Sequence, residues 1–162
     1  MAERYNVLFL CTGNRARSIV AEAILRHRGR PQFAAFSAGS RPQGEVHPFA
    51  LKMLAKAGIA TEGLRSKSWE EFARADAPKM GFVITLCDRA AKETCPVWPG
   101  EPLKAHWSVR DPGDAEDKAE LERMFREVFQ ILDRRICRLL SLPLANLDKL
   151  AIQKEIDRIE HE

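Results

Sequence analysis

A short apolar run, Val7 to Leu10, ends in a polar loop that leads directly into a helix-like segment. The loop, residues 11–18, reads Cys-Thr-Gly-Asn-Arg-Ala-Arg-Ser, and the segment after it runs from Ile19 to His27. A strand that turns straight into a helix presents the backbone N–H groups of the turn and of the first helical residues to one point, where they attract an anion. The pattern therefore predicts an anion site at the carboxyl end of a buried strand.

The loop also carries a nucleophile beside that site. Arg17 can bind two oxygens of a tetrahedral oxyanion with its planar guanidinium, and the same positive field favours the reactive thiolate form of Cys11. Gly13 permits close approach of the backbone to an anion, and Asn14 tolerates a left-handed conformation and can brace the loop. Ser18 can donate a hydrogen bond to the Cys11 thiolate or cap the helix. The predicted substrate-binding residues are Thr12, Gly13, Asn14, Arg15, Ala16, Arg17 and Ser18. The alternative is a buried cysteine at a strand end with Arg17 on the surface, but the strand–loop–helix context favours the site.

Composition narrows the class of protein. The chain has 162 residues, enough for one domain with a hydrophobic core, and its 45% hydrophobic and 30% charged residues are typical of a soluble globular protein. A net charge of +3 is weak evidence for nucleic-acid binding. No run approaches 18 apolar residues, and the start lacks a signal-peptide pattern. We therefore expect a cytoplasmic location, with neither a membrane nor a nucleic acid as partner.

Cysteine and histidine spacing argues against a metal site. The four cysteines include no pair at the close spacing of a zinc site, and His47, His106 and His161 lie in no ligand pattern. In a reducing compartment such cysteines are redox-active or inertly buried rather than a structural disulfide framework. We therefore expect no bound metal.

The order of predicted elements indicates an α/β protein with a parallel sheet. Strands are predicted at 5–10, 33–39, 81–86 and 103–109, and helices at 18–28, 46–57, 116–141 and 144–160, with a short helix at 68–73. We assign 1–142 to the main domain and 143–162 to a C-terminal helical extension. In such sheets ligands bind outside the carboxyl ends of the strands.

Further thiols follow the third predicted strand. Cys87 ends that strand, and Cys95 lies beyond a polar segment, 88–94, that could be a short helix or a mobile loop. With Cys11 they could form a relay in which successive thiolates attack successive disulfides. Taken alone, Cys87 is better interpreted as a buried strand-end thiol and Cys95 as a loop thiol beside Pro96. The joint arrangement with the anion loop reverses this and favours the relay. Cys137 is predicted to be a small buried hydrophobe on the long helix.

An acid follows the fourth predicted strand. Asp111 opens an Asp-Pro-Gly turn. Expelling an oxygen from an oxyanion requires a proton, which a carboxyl group at the carboxyl end of this strand can supply. The alternative is a plain Asp-Pro-Gly turn, which is common and is the better interpretation of this segment taken alone.

Together these residues resemble the low-molecular-weight protein tyrosine phosphatase superfamily, and within it the thioredoxin-coupled arsenate reductases. The resemblance spans about residues 5–140. The motifs that carry it are Cys11-Thr12-Gly13-Asn14 with Arg17-Ser18, Ser37-Ala38-Gly39, Thr85-Leu86-Cys87 with Cys95-Pro96, and His106-Trp107 with Asp111-Pro112. It implies a single-domain three-layer sandwich around a four-stranded parallel sheet.

The resemblance also implies a mechanism for arsenic detoxification. Arg17 and the loop amides bind arsenate, Cys11 attacks arsenic, and Asp111 protonates the leaving oxygen. Cys87 then attacks Cys11, which releases arsenite, and Cys95 attacks Cys87. The resulting Cys87–Cys95 disulfide is reduced by an electron donor, either thioredoxin or glutaredoxin with glutathione. Because the electrons come from thiols, the resemblance implies no bound organic cofactor.

The sequence departs from the family in several places. Arg15-Ala16 stands where many members have Ser-Cys, and that missing thiol is outside the relay. Relatives that bind potassium use residues matching Asn14, Glu22 and Ser37 together with an Asp. In this chain Lys67 stands at the position of that Asp. We therefore predict no potassium requirement. Gly113-Asp114 replaces the two tyrosines of the phosphatases, and residues 144–162 lie outside the resemblance.

Two other functions stay open at this point. A phosphatase acting on phosphotyrosine or small phosphate esters would need only Cys11, Arg17 and Asp111. A non-enzymatic thiol redox sensor would leave the anion loop unused. Cys87 and Cys95 are the residues that favour the reductase.

Overall fold

A four-stranded parallel sheet forms the centre of the computed structural model, which describes residues 4–93 and 96–161. The strands are β1 (Tyr5–Cys11), β2 (Phe33–Gly39), β3 (Phe82–Thr85) and β4 (Leu103–His106). Their spatial order is β2-β1-β3-β4, and each neighbouring pair is parallel. The predicted α/β class and the four-stranded parallel sheet are confirmed. Because β1 and β3 are neighbouring parallel strands at the centre, the residues that follow them meet at the carboxyl end of the sheet.

Helices connect and cover the strands. They are α1 (Arg17–Gly29), α2 (Pro48–Lys56), α3 (Asp88–Lys92), α4 (Lys118–Ser141) and α5 (Lys149–Ile159), with 3₁₀ turns at Trp69–Phe72, Pro112–Asp114 and Leu144–Asn146. The side chains of Asp117 and Asp148 cap α4 and α5 by accepting backbone N–H groups. The helix predicted at 144–160 therefore begins only at Lys149, after a separate turn.

Strand β4 is shorter than the predicted 103–109. It ends at His106, and beyond it the backbone of Ser108 hydrogen-bonds to side chains of α4 and to Glu160, just after α5, instead of to a strand. Side chains from distant parts of the chain thus satisfy the backbone of Ser108, while the N–H of Val109 still donates to the carbonyl of Leu86.

Strand β1 is buried on both faces. Val7 and Phe9 join the larger core under the helices, whereas Leu8 and Leu10 join a smaller core with Trp69 and other residues on the opposite face. Such two-sided burial explains why its apolar run is continuous and not alternating.

Helix α1 is deeply buried along its first two turns. Every residue from Ser18 to Leu25 is buried, whereas His27 near its end is exposed. The first two turns lie between the sheet and α4, so both helix faces need small or apolar side chains.

The prediction for Cys137 is wrong, because this thiol is exposed. It directly follows the buried Ile136 on α4. One step along a helix rotates the side chain by about 100°, which here carries it from the core face to solvent.

Helix α5 covers β4 at the edge of the sheet. Its Ile152, Ile156 and Ile159 are buried, and the indole Nε1 of Trp107 donates a 2.9 Å hydrogen bond to the carbonyl of Ile156. None of the helices in the described chain combines the length and apolar character needed to cross a bilayer.

Candidate active site

The loop between β1 and α1 has the geometry of an anion cradle. Asn14 adopts a left-handed backbone with φ of 44°, as its residue type allows. Ala16 is the N-cap of α1 and provides no side-chain cap, so the first turn of the helix faces the pocket without a competing acceptor from this position. The helix dipole and the loop amides therefore favour an anion above Cys11.

The Cys11 thiol is hydrogen-bonded to a hydroxyl that a second hydrogen bond orients. Its Sγ lies 2.8 Å from Ser18 Oγ, and Asn14 Nδ2 donates to that same oxygen at 2.7 Å. Because the hydroxyl oxygen accepts from Asn14, its own proton is available to Cys11. Ser18 is fully buried beneath the loop, so it contacts the Cys11 sulfur and not the pocket. Ser18 thus presents a hydrogen-bond donor to that sulfur.

A buried polar network supports the loop from below. Asn14 Nδ2 also donates to Ser37 Oγ at 3.1 Å, and Ser37 in turn donates to Glu22 Oε1 at 2.5 Å. Lys67 Nζ lies 3.4 Å from Ser37 Oγ and donates to the carbonyl of Arg65 at 2.9 Å. Each member has partners inside the protein, which fixes the loop from its buried side.

Arg17 and Asp111 face each other across the pocket. Arg17 Nη2 lies 3.4 Å from Asp111 Oδ2, and its Nη1 donates to the carbonyl of Val109 at 3.1 Å. The Arg17 side chain is 13% exposed and that of Asp111 43%. Asp111 also accepts from the backbone of Gly113 at 2.9 Å, so it forms the ordinary turn and still lines the pocket. The two predicted residues are thus brought together at the loop.

Cys87 is buried beside Cys11. The two cysteines and Ala90 form one buried cluster, and Thr12 Oγ1 lies 3.5 Å from Cys87 Sγ. Cys87 is also the N-cap of α3, where its Sγ accepts from the backbone of Ala90 at 3.3 Å. Cys95 lies outside the described residues. The structure therefore brings together two of the three predicted relay thiols.

The α3 segment is fixed at both ends by residues that the sequence did not single out for this role. At its end, Glu93 Oε1 accepts from Ser40 Oγ at 2.8 Å and from Thr12 Oγ1 at 3.4 Å. At its start, Asp88 Oδ1 lies 2.9 Å from His106 Nε2, and this hydrogen bond lowers the pKa of Asp88. No local pattern announces these contacts, since each joins distant parts of the chain.

The pocket above the loop is large and cationic. Its volume is about 690 Å³, far more than one oxyanion fills, and it opens to solvent. Five arginines line it, against the two carboxylates Asp88 and Asp111: Arg15, Arg17, Arg41, Arg89 and Arg110. This balance of charge attracts anions.

His47 also lines this pocket. Its Nδ1 accepts from the backbone of Phe49 at 3.1 Å, capping α2, and its ring packs on Phe125 with centroids 4.9 Å apart. Burial and then the charge of Arg15 lower the pKa of His47, with Asp111 opposing them. The ring is therefore neutral near pH 7.

Side chains that could bind a metal ion do not cluster in the described residues. Within 4–93 and 96–161, no group of three or more His, Cys, Asp or Glu side chains could hold a metal ion.

The chain belongs to the low molecular weight phosphotyrosine protein phosphatase family, whose model matches residues 6–155. It is 33% identical over 132 residues to an arsenate reductase of Shouchella clausii (strain KSM-K16), an alignment that covers 80% of this chain and 91% of the relative.

Solved structures agree with this assignment. The thioredoxin-dependent arsenate reductase of Corynebacterium glutamicum is similar at 27% identity and a TM-score of 0.61, covering 85% of this chain and 60% of that chain. This chain thus spans little more than half the length of that protein. An arsenate reductase in an oxidized state is similar at 29% identity and a TM-score of 0.67, covering 84% of this chain and 96% of that one.

Proposed function

We propose that this protein is an arsenate reductase in which Cys11, Cys87 and Cys95 form a thiol relay. Arsenate binds to the loop amides and Arg17. The Cys11 thiolate forms an S–As bond, and one oxygen leaves as water after Asp111 protonates it. The Cys87 thiolate then attacks Cys11 Sγ, and the electron pair of the S–As bond passes to arsenic. As(V) becomes As(III), arsenite leaves, and a Cys11–Cys87 disulfide remains.

The last steps regenerate the nucleophile. The Cys95 thiolate attacks Cys87 Sγ, which releases Cys11 as a thiolate and forms a Cys87–Cys95 disulfide. An external dithiol reduces that disulfide, so the two electrons come from a thiol and no bound organic cofactor takes part. We assign the role of donor to thioredoxin, because a similar protein of known structure is thioredoxin-dependent. Glutaredoxin with glutathione is the second candidate.

The single observation that carries the proposal is the burial of Cys87 against Cys11. A phosphatase releases its phosphoryl group to water and needs no second thiol there. A thiol buried beside the nucleophile supplies the reductive exit that arsenate chemistry requires, and the arsenate reductases among the relatives support the same substrate.

The decisive experiment measures arsenate-dependent NADPH oxidation with thioredoxin and thioredoxin reductase. Wild-type protein should turn over, and Cys87→Ser should lose roughly 100-fold or more in rate, because the relay has no other route to arsenite. Cys137→Ser is the matched control, since this thiol is exposed on α4, and it should behave as wild type. Reduction by Cys87→Ser at the wild-type rate would refute the relay. A parallel assay with glutathione and glutaredoxin distinguishes the donors.

The second candidate function is phosphatase activity, which the family assignment favours. Hydrolysis of phosphate esters needs only Cys11, Arg17 and Asp111, so Cys87→Ser should retain whatever ester hydrolysis the wild type has. A protein that hydrolyses phosphotyrosine but leaves NADPH unoxidised with arsenate is a phosphatase. One that does neither fits the thiol redox sensor.

We further propose a cytoplasmic location and the division into a main domain at 1–142 with a helical extension at 143–162. A relay that ends in a disulfide needs a reducing thiol pool, which the cytoplasm provides. The packing of α5 on β4 supports a structural role for the extension.

A further inference from the structure

The backbone just before Asp111 is held by side chains from the C-terminal part of the chain. The N–H of Ser108 donates to Glu160 Oε2 at 2.7 Å, and the carbonyl of Ser108 accepts from Arg135 Nη1 at 3.0 Å. Arg135 Nη2 also donates to the carbonyl of Glu160 at 3.2 Å. These three residues form a closed set of hydrogen bonds, which we name the Ser108 clamp.

The clamp is largely shielded from solvent. Arg135 is 8% exposed, and the Glu160 side chain is 21% exposed. Burial lowers the pKa of Arg135, and the charge of Glu160 opposes that shift. The Glu160 carboxylate and the Arg135 guanidinium each bond to the backbone of Ser108, and hydrogen bonds to charged groups in a partly desolvated place are stronger than neutral ones.

The clamp is continuous with the proposed chemistry. Directly after Ser108, the N–H of Val109 donates to the carbonyl of Leu86 at 3.0 Å, and its carbonyl accepts from Arg17. Leu86 precedes Cys87, and Val109 lies two residues before Asp111. The position of Ser108 therefore bears on Arg17 and Asp111 together.

We infer that Glu160 and Arg135 are positioning residues that hold the Asp111 loop in its productive place, a role for the C-terminal segment in the reaction. The inference rests on the proposed function, because it gives Asp111 the task of protonating the leaving oxygen. Glu160 acts through the backbone of Ser108 and touches no substrate.

The first test asks whether the clamp holds the loop, and it needs no activity. Amide hydrogen exchange is measured on wild type, Glu160→Ala and Glu160→Gln. Loss of the carboxylate should speed exchange in the 107–111 segment by roughly ten-fold, and the glutamine, which keeps an oxygen acceptor, should restore most of the protection. Glu155→Ala, on α5 itself and paired with Arg158, is the control. Unchanged exchange in Glu160→Ala overturns the inference.

The second test asks whether the clamp acts through the acid. Glu160→Ala should lower the kcat for arsenate reduction by roughly ten-fold, since small displacements of a catalytic group are costly, with thermal melts confirming the fold. In an Asp111→Asn background the same change should cost almost nothing further. An equal loss in both backgrounds would mean a general structural role and overturn the inference. Wild-type activity of Asp111→Asn alone would instead refute the proposed acid.

Discussion

Lys67 Nζ lies 3.6 Å from Glu22 Oε1 beneath the anion loop, and both side chains are almost fully buried, at 7% and 10% exposure. Burial lowers the pKa of Lys67, and the charge of Glu22 opposes that shift. An ammonium group therefore neutralises the only carboxylate of the described network below Asn14 and Ser37.

Removal of Lys67 should destabilise the protein. Lys67→Met leaves the Glu22 carboxylate buried without its partner, which costs about 3–5 kcal/mol in the free energy of unfolding. The double variant Lys67→Met/Glu22→Gln should lose less than the single one. Urea unfolding measures both, with the exposed Lys52→Met as control.

The same pair predicts indifference to potassium. Because the ammonium already balances Glu22, exchanging NaCl for KCl at constant ionic strength should change neither the melting temperature nor the turnover of wild type. A marked gain in either with potassium would contradict this account.

Gly39 should tolerate no side chain, because the anion loop packs directly on it. A Cβ there would lie 2.4 Å from the carbonyl oxygen of Thr12 and 2.8 Å from that of Cys11. Gly39→Ala must therefore push the loop away, with a loss of about 3 kcal/mol in unfolding free energy and a large loss of arsenate turnover.

The control for this change is Gly81→Ala, at the residue just before β3. The nearest atom to a Cβ there is the carbonyl oxygen of Asn6 at 3.5 Å, an ordinary contact. It should keep turnover near wild type. Equal effects of the two substitutions would show that the contact between Gly39 and the loop is not the cause.

The sequence predicts those parts of the site whose residues lie close together along the chain or at the ends of neighbouring strands. Cys11 and Arg17 belong to one strand–loop–helix unit, so their spacing together with that local context indicated the anion cradle. Asp111 and Cys87 followed from a rule of topology, since carboxyl ends of parallel strands meet. The Ser108 clamp and the contact of Ser40 with Glu93, which are 53 residues apart, depend on three-dimensional packing and leave no periodic trace. The error at Cys137 has a different origin, because periodicity fixes a helix face only to within about one residue.

The contact between Ser40 and Glu93 should control how readily the α3 segment opens. Ser40→Ala removes a hydrogen bond to a carboxylate, a loss of about 1.5 kcal/mol, so exchange of the α3 amides should speed by roughly ten-fold. Hydrogen exchange followed by mass spectrometry measures this. Ser141→Ala, which removes a hydroxyl that donates within α4, is the control. Equal protection of α3 in wild type and Ser40→Ala would show that the hydrogen bond between Ser40 and Glu93 does not fasten the segment.

His47 should make stability depend on pH below neutrality. Its pKa in the folded protein lies below the ordinary 6.5, chiefly because of burial and then the charge of Arg15. Between the two pKa values the unfolded chain binds a proton that the folded one does not, so the free energy of unfolding rises with pH in that window and levels off above about 6.5. Acidification through the window therefore destabilises the fold.

A substitution isolates the share of His47 in this pH dependence. His47→Asn keeps an oxygen acceptor for the N–H of Phe49, so the cap of α2 persists, but the side chain does not titrate. The unfolding free energy of wild type relative to His47→Asn should therefore fall between pH 7.5 and pH 5.5, as measured by urea denaturation. A constant difference between the two proteins across that range would mean that His47 binds its proton equally in the folded and unfolded states.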